Sequence, residues 1–105
     1  MHRKILLTER ADAELTALEN NPHHAGLFKQ VIKTITMLET NLNHPGLNTH
    51  KFGSLRGLNG EDVFEAYAQN KTPGAYRVFW HYGPDETVDK KRVPVITIIA
   101  ITSHP

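Results

Sequence analysis

Apolar residues recur at steps of three and four positions along one long segment of the chain, over residues 25–42. This spacing is typical of an amphipathic helix with one face on a core. We predict that the stripe formed by Leu27, Phe28, Val31, Ile32, Ile35, Leu38 and Leu42 is core. A shorter helix is predicted from Glu9, and the residues NNPHH end it because asparagine and proline are stop signals.

Strand patterns occupy both ends of the chain. KILLT (residues 4–8) predicts a short first strand, and DVFEAYA and AYRVFWHYG predict a hairpin across the turn QNKTPG. The near-continuous apolar run VITIIAIT predicts a strand buried on both faces. PDETVDKKRVP is interpreted as a solvated loop at a hairpin tip. The glycines and proline of NHPGLNTHKFGSLRGLNGED argue against regular structure for most of that segment.

The order β-α-α-β-β-β predicts an α+β fold. A helical hairpin would pack on one face of a mainly antiparallel four-stranded sheet, and the last three strands would form a meander. The 105 residues suit one domain, residues 1–105.

Arg77 stands in the middle of the aromatic strand. If Tyr82 pairs with Val95 and Ala68 with Ala75, Arg77 lies between Ala66 and Ala100 on a shallow floor of small side chains. Those registers would turn Glu65 toward the opposite face. A buried, unpaired guanidinium is costly, so the structural alternative is an ion pair, for which Glu65 is a nearby candidate.

Composition narrows the chemistry. The chain has no cysteine, which excludes disulfides, cysteine zinc sites and thiol catalysis and fits a reducing cytoplasm. Its N-terminal apolar run is too short for a signal peptide or a membrane span. A net charge of +1 does not by itself indicate a nucleic-acid partner, but Lys51, Arg56, Lys71 and Arg77 all fall in the middle of the chain.

No metal site or cofactor is predicted. His23 and His24 are adjacent and point apart on a helix or strand. His44 and His50 are expected in a loop with no acidic partner at ligand spacing.

The central segments resemble the RelE/ParE toxin superfamily of bacterial toxin–antitoxin pairs. The resemblance rests on HK…LRG (His50, Lys51 and residues 55–57), a following strand, YRVFW (residues 76–80) and the apolar last strand. It covers residues 4–104. It implies a toxin neutralised by a cognate antitoxin, with no cofactor.

One branch of the superfamily implies an endoribonuclease that cuts messenger RNA on the ribosome. By this resemblance Arg77 would stabilise negative charge on the scissile phosphate, as a fixed guanidinium suits a pentacoordinate phosphorus. Arg56 and Lys51, with Lys71, would bind the RNA. The general acid–base candidates are His104, His81 and Glu65, in that order. Two lysines that some members carry on the preceding strand are replaced here by Phe64 and Ala66.

Two alternatives stay open at this point. The ParE-like branch implies inhibition of DNA gyrase rather than RNA cleavage. A non-catalytic interaction module of the same fold is the third possibility. In each case we expect the antitoxin to lay a helix or an extended segment over the basic face and the sheet edge.

Overall fold

The structure is a computed structural model that describes residues 2–70 and 74–103. The elements, in chain order, are β1 (Lys4–Leu7), α1 (Glu9–Glu19), α2 (Ala25–Thr40), β2 (His50–Arg56), β3 (Asp62–Tyr67), β4 (Tyr76–Tyr82), β5 (Glu86–Val88), β6 (Lys91–Val93) and β7 (Val95–Ser103). Short 3-10 turns at Pro22–His24 and Pro45–Leu47 precede α2 and β2.

Both predicted helices are present. Thr8 caps α1, because its Oγ1 accepts the backbone N–H of Ala11 at 3.2 Å. The apolar stripe of α2 buries Val31 and Leu38 completely, whereas Ile32, at the border of the stripe, is 38% exposed. The prediction of a helix that packs on a core is confirmed, and Ile32 marks the edge of the packed face.

The strands form a five-stranded sheet in the order β1-β7-β4-β3-β2, with a separate two-stranded ribbon of β5 and β6. β1 runs parallel to β7, and the other neighbours are antiparallel. The predicted α+β class and the meander of the last three main strands are confirmed. The sheet has five strands rather than four, because the segment predicted as irregular contains β2.

β2 is an irregular edge strand. His50 and Lys51 pair with Glu65 and Phe64, and the register then shifts before Arg56 pairs with Asp62. Gly53 lies inside this register shift, where a glycine is tolerated in a strand. A Cβ added at this position would meet no neighbouring atom within 4 Å. The charged loop is also more regular than predicted, as it contains the β5–β6 ribbon.

The predicted registers around Arg77 were wrong. Arg77 pairs with Tyr67 of β3 instead of Ala66, a slip of one residue, and with Thr102 of β7 instead of Ala100. At the β3–β4 turn, the carbonyl of Tyr76 accepts the N–H groups of both Ala68 and Gln69 at 3.2 Å, which shifts the pairing.

A bulge between Phe79 and Trp80 shifts the register between β4 and β7 by one residue, so that Phe79 lies opposite Ala100 and Trp80 opposite Ile98. The one-residue slip moves Glu65 to the same face as Arg77, against the prediction.

The two faces of the sheet pack differently. The face toward the helices, called the helix face, carries the main core, which includes Val78, Trp80, Ile98 and Ile101. The opposite face, called the far face, carries Glu65, Tyr67, Arg77, Phe79 and Thr102. There a smaller cluster forms where Phe52 and Leu55 of β2 pack near Val63, Phe79 and Ala100. Among the described residues, neither helix is long and apolar enough to cross a membrane.

Candidate functional site

Arg77 is a buried cation on the far face, with only 8% of its surface exposed. Its Cζ lies 3.6 Å from the centre of the Tyr67 ring, in cation–π geometry. Nη1 donates to the carbonyl of Gln69 at 2.6 Å and to that of Tyr76 at 3.3 Å. Nε is buried and has no hydrogen-bond partner among the described residues. An unmatched donor of this kind costs about 1–3 kcal/mol, so the position is not optimised for stability alone.

The predicted floor of alanines is absent, because the corrected registers place Tyr67 and Thr102 beside Arg77. The predicted structural ion pair is also absent: within residues 2–70 and 74–103 no carboxylate lies within 4.0 Å of the guanidinium. Aromatic stacking and backbone carbonyls compensate this charge instead.

Glu65 is 1% exposed, and its Oε1 lies 2.7 Å from His50 Nε2, at hydrogen-bonding distance. The His50 ring is about half exposed, its Nδ1 lies 2.7 Å from the carbonyl oxygen of Asn48, and its edge meets the Tyr67 ring with 5.8 Å between centroids. The prediction that His50 lies in a loop was therefore wrong, because His50 belongs to β2 and has an acidic neighbour on the next strand. Cross-strand pairing supplies the partner, fifteen positions away in sequence.

Two of the predicted RNA-binding residues meet at the outer edge of the sheet. Lys51 Nζ and Arg56 Nη1 lie 3.3 Å and 3.0 Å from the two carboxylate oxygens of Asp62. All three side chains are about half exposed. The two cations are close together, as a phosphate-binding role requires, but they share an acidic side chain that sequence reasoning did not single out.

The turn after Arg56 explains the glycine of the LRG motif. A Cβ on Gly57 would collide with the Glu61 side chain, whose carboxylate accepts the backbone N–H of Asn59 at 3.0 Å. The N–H groups of Glu61 itself and of Asn59 lower the pKa of this carboxyl. Gly57 therefore leaves room for a carboxylate that closes the turn behind Arg56.

The remaining candidates are distributed unevenly. His81 is 5% exposed, and its Nδ1 lies 2.9 Å from the Tyr82 carbonyl oxygen. His104 and Lys71 lie outside the described residues. Over the described part of the chain, no group of three His, Cys, Asp or Glu side chains could hold a metal ion.

A cavity of about 490 Å³ adjoins the site. Thr102, which pairs with Arg77, and Phe79, two residues along β4, form part of its wall. The described residues that line it are Arg10, Phe52, Ser54, Leu55, Phe79, Thr102 and Ser103. This volume is sufficient for a small ligand or one nucleotide unit.

Two solved structures share this architecture. One is described as a YoeB/ParE toxin from Agrobacterium tumefaciens, with a TM-score of 0.67, 9% identity, and 97% of this chain and 99% of that chain covered. The chain has the YoeB/ParE toxin fold. The second, described as a YoeB dimer from Staphylococcus aureus, superposes with a TM-score of 0.59 at 13% identity over 100% of both chains. No family model and no curated protein matches the sequence.

The YoeB/ParE fold confirms the architecture implied by the RelE/ParE resemblance. Three residues of the site were nevertheless missed: His50 as a partner of Glu65, Tyr67 as the ring beneath Arg77, and Asp62. The sequence signal for His50 and Tyr67 was the alternation of β3, since Glu65 and Tyr67 always share a face. The prediction lacked the neighbouring strand β2, whose His50 pairs with Glu65.

Proposed function

We propose that this protein is the toxin of a toxin–antitoxin pair and acts as a metal-independent endoribonuclease on ribosome-bound mRNA in the cytoplasm. The observation that carries this proposal is the Arg77 guanidinium, held flat on Tyr67 with a buried donor nitrogen that no described residue satisfies. Such an arginine is preorganised for an anionic group. The cavity reached through Thr102, the strand neighbour of Arg77, is large enough for a nucleotide.

In this function the RNA 2′-oxygen attacks the neighbouring phosphorus, and negative charge builds on the non-bridging oxygens. A guanidinium fixed before the reaction stabilises that charge without having to reorganise. Lys51 and Arg56 at the sheet edge would bind flanking phosphates of the RNA. A cognate antitoxin would neutralise the protein by covering these cations.

The first test is cleavage of ribosome-bound mRNA by purified protein in a translation extract. We expect Arg77→Lys to lower the cleavage rate by about 10²–10³-fold, because lysine keeps the charge but lacks the planar fork. The matched control is Arg92→Lys, since Arg92 in β6 is strongly exposed and pairs with Asp85. Thermal unfolding of both variants must first show that they fold.

The outcomes separate the three functional hypotheses. Cleavage by the wild type that Arg77→Lys leaves unchanged would remove Arg77 from the mechanism. Inhibition of gyrase supercoiling without any RNA cleavage would select the ParE-like activity. Induction in a bacterial host that changes neither growth, translation nor supercoiling would favour a non-catalytic module.

A further inference from the structure

His50 is held at both ring nitrogens by groups that accept hydrogen bonds. Nε2 lies 2.7 Å from the buried Glu65 carboxylate, and Nδ1 lies 2.7 Å from the carbonyl oxygen of Asn48, an exposed residue. A backbone carbonyl can only accept, so Nδ1 carries a proton. A second proton must lie between Nε2 and Oε1, because two acceptors at this distance would repel each other.

This arrangement follows the logic of a catalytic dyad. A buried carboxylate fixes one nitrogen of the imidazole, while the other nitrogen faces the protein surface with its N–H. In the free protein that N–H is satisfied by Asn48, which is exposed and has a left-handed backbone conformation with φ of 46°. A substrate oxygen can replace this carbonyl without leaving a buried group unpaired.

His50 also lies close to the cation of the proposed site. Its ring centre is 5.8 Å from that of Tyr67, and the Arg77 Cζ is 3.6 Å from the same ring centre. Tyr67 therefore contacts both groups, the charged guanidinium over its ring and the His50 ring at an edge-to-face angle. The other described candidates, His81 and Glu65, are buried, whereas the His50 ring is about half exposed.

We propose that His50 is a catalytic residue that donates the Nδ1 proton to the departing 5′-oxygen of the RNA, with Glu65 as the positioning residue; this rests on the proposed ribonuclease function. In the step, the bond between the 2′-oxygen and phosphorus forms and the bond between phosphorus and the 5′-oxygen breaks. The 5′-oxygen takes the proton from Nδ1, and the 2′-hydroxyl proton leaves to water. The products are a 2′,3′-cyclic phosphate and a 5′-hydroxyl, and solvent restores the His50 proton.

The decisive experiment compares two RNA substrates that differ in one atom. In the second substrate, sulfur replaces the bridging 5′-oxygen at the cleavage site, so the leaving group departs as a thiolate and needs no proton. We expect His50→Gln to slow cleavage of normal RNA by about 10²–10⁴-fold, the usual size of general acid catalysis. On the sulfur substrate its rate should return to within a few-fold of the wild-type rate.

His23→Gln is the matched control, because His23 is an exposed histidine in the turn before α2. It should cleave both substrates like the wild type. An equal loss for His50→Gln on both substrates would overturn the proposal and leave His50 a structural residue. A wild type that cleaves neither substrate would instead reject the underlying ribonuclease function.

Glu65 is tested by NMR, which does not depend on activity. The ¹⁵N shifts of the His50 ring should show a hydrogen bond at Nε2 in the wild type. Glu65→Gln should change the Nε2 shift, because a neutral amide replaces the carboxylate. Identical His50 spectra in the wild type and Glu65→Gln would overturn the positioning role.

Discussion

Asp62 forms ion pairs with Lys51 and Arg56, the two cations that are expected to bind RNA phosphates. Replacing Asp62 tests that expectation directly. In Asp62→Asn the shape of the side chain is kept and its charge is removed. Lys51 and Arg56 then lose the carboxylate that lies within 3.3 Å and 3.0 Å of them. If RNA binds at these cations, it must displace the Asp62 carboxylate in the wild type but meets less competition in the variant.

The magnitude follows from the exposure of the three side chains, which are all about half accessible. Exposed ion pairs contribute roughly 0.2–1 kcal/mol each, so releasing both costs about 1 kcal/mol. Since 1.4 kcal/mol corresponds to a factor of ten in affinity, we expect Asp62→Asn to bind single-stranded RNA about fivefold more tightly. The slope of log affinity against log salt should steepen by ~0.7 for each cation that gains a phosphate contact.

The assay is fluorescence anisotropy with a 2′-O-methyl RNA, which cannot be cleaved, at several salt concentrations. Glu86→Gln is the matched control: it removes the same charge from an ion pair with Lys4 at 2.8 Å, in β5. If both variants tighten binding equally, only net charge matters and the site assignment is refuted. Unchanged or weaker binding by Asp62→Asn would show that Lys51 and Arg56 do not meet the RNA.

Two further predictions concern stability. The N–H of Val95 and the guanidinium of Arg92 lower the pKa of Asp85. The stability that Asp85 contributes is therefore present above its unfolded pKa of about 3.9 and is lost as the pH falls through the lower folded value. We expect the melting-temperature difference between wild type and Asp85→Asn to shrink from pH 6 to pH 3. Gly57→Ala should lower the free energy of unfolding by about 1 kcal/mol, because the new Cβ displaces the Glu61 carboxylate. Gly53→Ala is the control and should leave the free energy of unfolding unchanged, because its Cβ meets no atom within 4 Å. Urea unfolding compares the two variants. A Gly57→Ala variant as stable as Gly53→Ala, or a pH-independent difference for Asp85→Asn, would contradict these accounts.

The sequence was most informative where periodicity is set by local geometry. The α2 stripe and the alternation of Tyr76, Val78 and Trp80 identified residues that face the helices, since a helix or a strand repeats its own pattern regardless of its neighbours. The position of Arg77 on the opposite face followed from the same alternation.

The site itself depends on registers, which are not local. A bifurcated hydrogen bond at Tyr76 and a bulge at Phe79 each moved the pairing by one residue, and neither has a sequence signature in this chain. The shift at Tyr76 decides that Arg77 meets Tyr67 and that Glu65 shares its face, and the bulge at Phe79 contributes to placing Thr102 beside Arg77. The His50–Glu65 pair additionally needs β2. This strand contains a glycine and has an irregular register, so its sequence was interpreted as irregular structure.

The parallel pairing of β1 with β7 has a consequence for the order of events during folding. Lys4 pairs with Val95, and among the described strands β7 is the neighbour of β1 in the sheet. About ninety residues therefore separate β1 from its partner strand, so this contact closes a long loop and forms slowly. Because β7 also supplies Thr102 beside Arg77, the far face is completed only when β7 joins the sheet. Formation of the candidate site therefore depends on the last described strand in chain order.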